Sequence, residues 1–196
     1  MYKVVAIILA AGYSTRMGEQ NKLAVVWKKQ PLLCHVMEAA LASELAQVVV
    51  VTGHEAKIVG ALVDPAALIV HNPDFRKGMS SSICVGVSKA IELQADAVIV
   101  LLGDMPLVTS HHINQIINTA ANAPVGSLVQ ASAGGVPGNP VLFPQNCFNN
   151  LQSLKGDRGA KEIVSRNRPR VISVEIGDAA RRDFDTKEAF SLERDA

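Results

Sequence analysis

The sequence is poor in several things, each of which would have fixed a function class. Its 19 Lys+Arg against 18 Asp+Glu leave a formal net charge of +1. With no basic tail and no interleaving of aromatic and basic residues, nothing points to nucleic acid as a partner, although a nucleotide-sized anion stays compatible. The apolar runs are short and interrupted, so none reaches the roughly 18–20 residues that span a bilayer. Only three cysteines occur, Cys34, Cys84 and Cys147, an odd number without a CxxC pair. That argues against a disulfide framework and against a thiolate zinc site. No His/Cys spacing supports zinc either, and no GxSxG is present to form a nucleophile elbow. The chain enters a strand-like run by Val4, leaving no space for a signal peptide, so a cytoplasmic protein is expected. With no amphipathic appendage left over, the expectation for oligomeric state is a monomer.

What the sequence does have is a 48% apolar content spread over 196 residues, enough for one sizeable core. Apolar runs at 4–9, 48–52, 67–70, 97–102, 127–131, 140–143 and 171–176 are bounded by polar or glycine-rich turns. They lack strict alternation, which predicts strands buried on both faces. Helix-like segments lie between them, at Pro31 to Ser43, 54–62, 80–94, 110–122, 145–154 and 158–166. Strand and helix in alternation predict a three-layer α/β fold with an open, mostly parallel sheet. The cluster GGVPGNP at 134–140 reads as a substrate-side loop or a sheet insertion, and a strand end is expected at 182–185. No linker composition divides the chain, so residues 1–196 are expected to form one domain.

The first strand runs into LAAGYSTRMGEQNK, from Leu9 to Lys22. Gly12 and Gly18 do not fit GxGxxG, and Glu19 after the second glycine rules out a Walker-type GK[ST]. The loop is still suited to phosphate. Ala10, Ala11 and Gly12 leave backbone N–H groups uncovered, Arg16 offers a bidentate clamp, and Lys22 a mobile point charge. The plain alternative is a tight turn with two cations facing solvent. At the end of AVIVLLGDMP, Asp104 sits where open α/β sheets bind ligands, and its carboxylate suits Mg²⁺. It could equally cap a helix beginning near Ser110. In RRDFDTKEAF, Asp183 and Asp185 share a face of an extended segment, and Asp185 is a second candidate carboxylate. HNPDFRKGMSSSI (71–83) places Gly78 and three serines before a helix whose free N–H groups would meet an anion or a ribose oxygen, with Ser80 a candidate N-cap.

Taken in order, LAAGYSTRMGEQNKL, a helix starting PLL, HNPDFRKGMSSSI, LLGDMPLVT, PGNPVLF and GDRGAK resemble the MobA-like nucleotidyltransferases, and within them the molybdenum cofactor cytidylyltransferase branch. The resemblance runs from Val4 to about Phe190. It implies a Rossmann-like nucleotidyltransferase fold over the single domain and an enzyme that moves CMP from CTP to the terminal phosphate of molybdopterin, releasing pyrophosphate. It implies that Leu9, Ala10, Ala11, Gly12 and Gly18 wrap the nucleotide, that Arg16 and Lys22 neutralise the triphosphate, and that Asp104 and Asp185 ligate Mg²⁺. Gly78, Ser81 and Ser82 would meet base and ribose, and Asn139 would face the pterin. An AAG opening accompanies cytidine nucleotides in this family, an AGG opening guanosine nucleotides. Two departures stand out: DFDTKEA replaces a DIDTPxD-like signature, and Asn139 stands where histidine is common. A sugar-phosphate or polyol-phosphate nucleotidyltransferase, and a non-catalytic nucleotide-binding or cofactor-delivery module that contacts a recipient molybdoenzyme, remain as alternatives.

Overall fold

The computed structural model describes residues 2–13, 21–157 and 159–184. Its elements, in chain order, are β1 (Val4–Ala10), β2 (Val26–Trp27), β3 (Gln30–Pro31), α1 (Leu32–Leu41), β4 (Gln47–Thr52), α2 (Ala56–Gly60) and β5 (Leu68–His71). They continue with α3 (Met79–Glu92), β6 (Ala97–Leu102), α4 (Ser110–Asn122), β7 (Leu128–Ala133), β8 (Val136–Pro144), α5 (Phe148–Gln152), α6 (Lys161–Arg166) and β9 (Val171–Glu175). Seven strands form one sheet in the order β5-β4-β1-β6-β8-β7-β9, and β2 with β3 makes a separate two-stranded hairpin. Only β8 runs antiparallel to its neighbours, so the sheet is mostly parallel.

The alternation of side chains along a strand explains the layers. Val4, Ala6, Ile8 and Ala10 of β1 point into a core shared with Leu33, Val36 and Met37 of α1 and Ile113 and Ile116 of α4. Val5 and Ile7 point to the opposite core, with Ile83 and Val87 of α3, Phe148 and Leu151 of α5, and Ile163 of α6. The central strands are therefore buried on both faces, as their unbroken apolar runs require. The run at 67–70 departs from this expectation. It forms the edge strand β5, where Leu68 and Ile69 are exposed.

The cluster at 134–140 takes the second of its two sequence readings, an insertion in the sheet. Gly134 and Gly135, with φ of 56° and 76°, make a two-residue hairpin turn, and β8 begins immediately after it. The apolar run 140–143 marked only the later part of this strand, because Pro137 and Pro140 argue against its beginning. Both lie in the half of β8 that precedes its pairing with β6, which starts at Val141, so the proline nitrogens take no N–H from that ladder. Residues 182–184 form no strand. Among the described residues no helix is long and apolar enough to cross a membrane, and all three cysteines are free thiols.

Candidate functional site

Strand order positions the site. From β1 the chain passes through α1 to β4 on one side, while α3 returns it to β6 on the other. The carboxyl end of β1 is thus a topological switch point, where open sheets leave a crevice for ligands. Three turns meet there: the one after β1, the one after β4, and the one after β6.

The turns are tied by backbone. Gly103 donates to the Leu9 carbonyl at 3.1 Å, and His54 donates to the Ala11 carbonyl at 3.1 Å. Gly53 allows this closeness, because a Cβ there would sit 2.6 Å from the Phe75 Cβ and 2.8 Å from the Ala11 Cβ. In contrast, a Cβ on Gly12 would meet nothing within 4 Å among the described residues. Tyr13 then stacks against His54 (4.7 Å between centroids) and Phe75 (5.3 Å).

Lys22 and Asp104, 82 residues apart, come together. The Lys22 Nζ lies 2.5 Å from the Asp104 Oδ2, with the two side chains only 19% and 14% exposed. Lys22 opens a 3₁₀ turn (Lys22–Ala24) that is fixed at both ends of its backbone. The Asn21 Oδ1 accepts the Leu23 N–H at 3.0 Å, and Leu23 itself is buried beneath. Asp104 is not the cap of α4, since that place belongs to Thr109 in a reciprocal capping box with His112. Burial and the neighbouring His111 lower the His112 pKa, which suits an imidazole accepting the Thr109 N–H. The Asp104 carbonyl accepts the Phe184 N–H at 2.9 Å. This bond brings Phe184 to the end of β6. Asp185, Arg16 and Gly18 lie outside the described residues.

The 78–82 loop is built differently from its sequence reading. Gly78, at φ 99°, precedes α3, and no side chain caps the helix from that position. Ser80 is not the cap: its hydroxyl is buried, 1% exposed, and has no hydrogen-bond partner among the described residues. The first N–H groups are not free either. Met79 donates to the Asp157 Oδ1 at 3.0 Å, Ser80 to the Gly156 carbonyl at 3.1 Å, and Ser81 to the Gly78 carbonyl at 3.1 Å. Gly156 and Asp157 therefore serve as the cap, across more than 70 residues of chain, which no local pattern could reveal. Ser81 and Ser82 are both held by the Asn72 Nδ2, at 2.8 and 3.0 Å, and Asn72 is fully buried. Asn139 lies on β8, half-buried, and its side chain has no hydrogen-bond partner among the described residues.

The donor chemistry fits a hard divalent cation. Asp104 offers oxygen just past the end of β6, and Mg²⁺ commonly takes one or two carboxylates plus substrate phosphates. No group of three or more His, Cys, Asp or Glu side chains forms a closed metal nest among the described residues. An ion here would depend on the nucleotide for further ligands. Sequence reasoning missed Asn21, His54, Glu55, Asn72 and Asp157, all of which act through partners far away in the chain.

Comparisons with known proteins agree with this architecture. The purine catabolism protein PucB of Bacillus subtilis (strain 168) is 31% identical over 207 aligned positions, covering 98% of this chain and 97% of PucB. The crystal structure of Rv0371c from Mycobacterium tuberculosis H37Rv superposes with a TM-score of 0.85 at 23% identity, covering 97% of this chain and 96% of that one. Rv0371c has also been crystallised as a complex with manganese. A CMP:2-keto-3-deoxy-manno-octonic acid synthetase complexed with CTP shares the fold at a TM-score of 0.75 and 14% identity, over 97% of this chain and 96% of that one. The model of the MobA-like NTP transferase domain matches residues 6–171. The chain thus belongs to the MobA-like NTP transferase family, a family of nucleotidyltransferases.

Proposed function

We propose that this protein is a Mg²⁺-dependent CTP:molybdenum cofactor cytidylyltransferase, folded as one domain over residues 1–196. The observation that carries the proposal is the Lys22–Asp104 pair, largely shielded from water at the switch point. A cation and an anion placed there are the minimum that phosphoryl chemistry needs.

An oxygen of the terminal phosphate of molybdopterin forms a bond to the α-phosphorus of CTP, and the bond from that phosphorus to the bridging β-oxygen breaks. Pyrophosphate leaves with the electron pair, and molybdopterin cytosine dinucleotide remains. A phosphate monoester is already an anionic nucleophile, so the protein need not remove a proton. Its task is to hold two anions in line and offset the charge that develops. Lys22 turns from Asp104 to the triphosphate, with Arg16 as a second clamp. Asp104, joined by Asp185, would hold the metal ion, which supplies Lewis-acid stabilisation of the phosphate oxygens. The backbone from Leu9 to Gly12, with Gly18, wraps the nucleotide. Gly78, Ser81 and Ser82 line the base and ribose, and the unpartnered amide of Asn139 faces the pterin.

The likeness to PucB, a purine catabolism protein, is consistent with a nucleotidyltransferase that serves purine breakdown. The CTP complex of a structural relative is consistent with a cytidine nucleotide, and the manganese complex of another with a divalent ion. The test is pyrophosphate release from CTP, GTP, ATP and UTP with Mg²⁺ and molybdenum-loaded molybdopterin. CTP is expected to exceed the others by about tenfold or more, a difference of about 1.4 kcal/mol in transition-state binding. Equal rates with GTP would refute the base assignment. Release only with a sugar phosphate or polyol phosphate would move the acceptor.

A further inference from the structure

The turn after β4 makes contacts that the reaction chemistry does not explain. Gly53 packs against Ala11, and the His54 N–H bonds the Ala11 carbonyl while its ring stacks on Tyr13. Glu55 reaches to the far side of the glycine-rich segment, where its Oε2 accepts the Asn21 Nδ2 at 3.0 Å. Three consecutive residues thus touch both described flanks of residues 14–20. Glu55 does so from a left-handed backbone, φ 48° and ψ 40°, a conformation uncommon for a residue other than glycine.

We propose that Glu55 is a positioning residue for Lys22, acting through Asn21. This rests on the reading of Lys22 as the triphosphate cation. The orientation of Asn21 is settled by its two partners. Its oxygen must face the Leu23 N–H and its amide nitrogen therefore faces the Glu55 carboxylate. Asn21 is 5% exposed, so water cannot replace either bond freely. With the carboxylate removed, the amide loses the contact that holds its plane, the cap on Leu23 loosens, and the 3₁₀ turn no longer holds Lys22 at one place over Asp104.

The backbone strain provides a variant that separates positioning from stability. Glu55→Gly removes the carboxylate yet relaxes the left-handed residue, so the melting temperature is not expected to fall. The Gln of Glu55→Gln can still accept the Asn21 N–H through its amide oxygen. Steady-state pyrophosphate release with MgCTP and molybdenum-loaded molybdopterin is measured for both, together with hydrogen exchange at the Leu23 amide in the protein alone. Glu55→Gly should lower kcat by about tenfold with KM for CTP within about twofold, as expected when a transition-state contact is misplaced. It should also speed Leu23 exchange by about tenfold, and Glu55→Gln should recover most of both. Unchanged Leu23 exchange in Glu55→Gly overturns the proposal, as does wild-type kcat. If the wild-type protein releases no pyrophosphate, the functional reading fails instead, and the Leu23 exchange result decides the positioning role.

Discussion

Replacing Asp104 by asparagine keeps the shape of the side chain and removes its charge, leaving the Lys22 ammonium 2.5 Å from a neutral amide. Coulomb attraction between unit charges at that separation is about 7 kcal/mol at an effective dielectric constant of about 20. Desolvation of two side chains that retain 19% and 14% of their exposure offsets most of this. What is lost on breaking such a pair is about 2–3 kcal/mol, more than for an exposed pair because salt and water screen it less. For a chain of 196 residues this corresponds to a fall in Tm of about 4–12 °C. A double-mutant cycle of Asp104→Asn and Lys22→Met isolates the pair: urea unfolding should give a coupling energy of about 2 kcal/mol, most of it surviving in 0.5 M salt. Pyrophosphate release by Asp104→Asn should fall by about 10²–10³-fold, the cost of losing one preorganised electrostatic partner. A coupling energy below about 0.5 kcal/mol would refute the energetic reasoning. Wild-type turnover by Asp104→Asn under limiting metal would refute the role of the carboxylate.

Two other perturbations test the surroundings of the site. In Gly138→Ala the new Cβ would stand 2.1 Å from the Ala180 carbonyl oxygen. That backbone cannot rotate away as a side chain would, so destabilisation of about 1–3 kcal/mol is expected, read by urea unfolding, with altered Trp27 emission as the displaced segment leads to Phe184. Glu175 accepts the N–H groups of Gly134, Gly135 and Gly177 and the Ser132 hydroxyl, and these bonds lower its pKa, those from Gly134 and Gly135 first. A depressed folded-state pKa means that its contribution is complete above the ordinary glutamate value of about 4.3 and is lost as pH falls through the lower folded value. Glu175→Gln should therefore lower Tm at pH 7, and the gap from wild type should narrow below about pH 4.

The layers of this fold were legible because they follow from period and run length. The apolar runs 4–9 and 97–102 match β1 and β6 to within a residue, and 110–122 matches α4. The failures have a common origin in tertiary context. Nothing local to Leu68 and Ile69 says that their strand is at an edge, and Pro137 and Pro140 argue against the beginning of β8 unless the position of the β6 pairing is known. At the site, Lys22 and Asp104 were marked by chemistry and by their places after strands, and the structure joins them. The supporting residues were not marked. Asn72 spans two serines nine and ten residues onward with its amide, a contact that no local pattern marks. Glu55 gave no signal at all, because a left-handed glutamate is stabilised by partners and not by its own sequence.

The packing around Trp27 has an optical consequence. It is the single tryptophan of the chain, and its ring lies between His35, at 4.9 Å, and Phe184, at 5.1 Å, with the Lys28 ammonium 4.5 Å from its centroid. Phe184 in turn hangs from the Asp104 carbonyl. Any rearrangement at Asp104 that draws the chain at Phe184 with it changes the rings and charge surrounding one chromophore. Trp27 emission is therefore expected to report on the candidate site without a label, read in a stopped-flow instrument without altering a single residue.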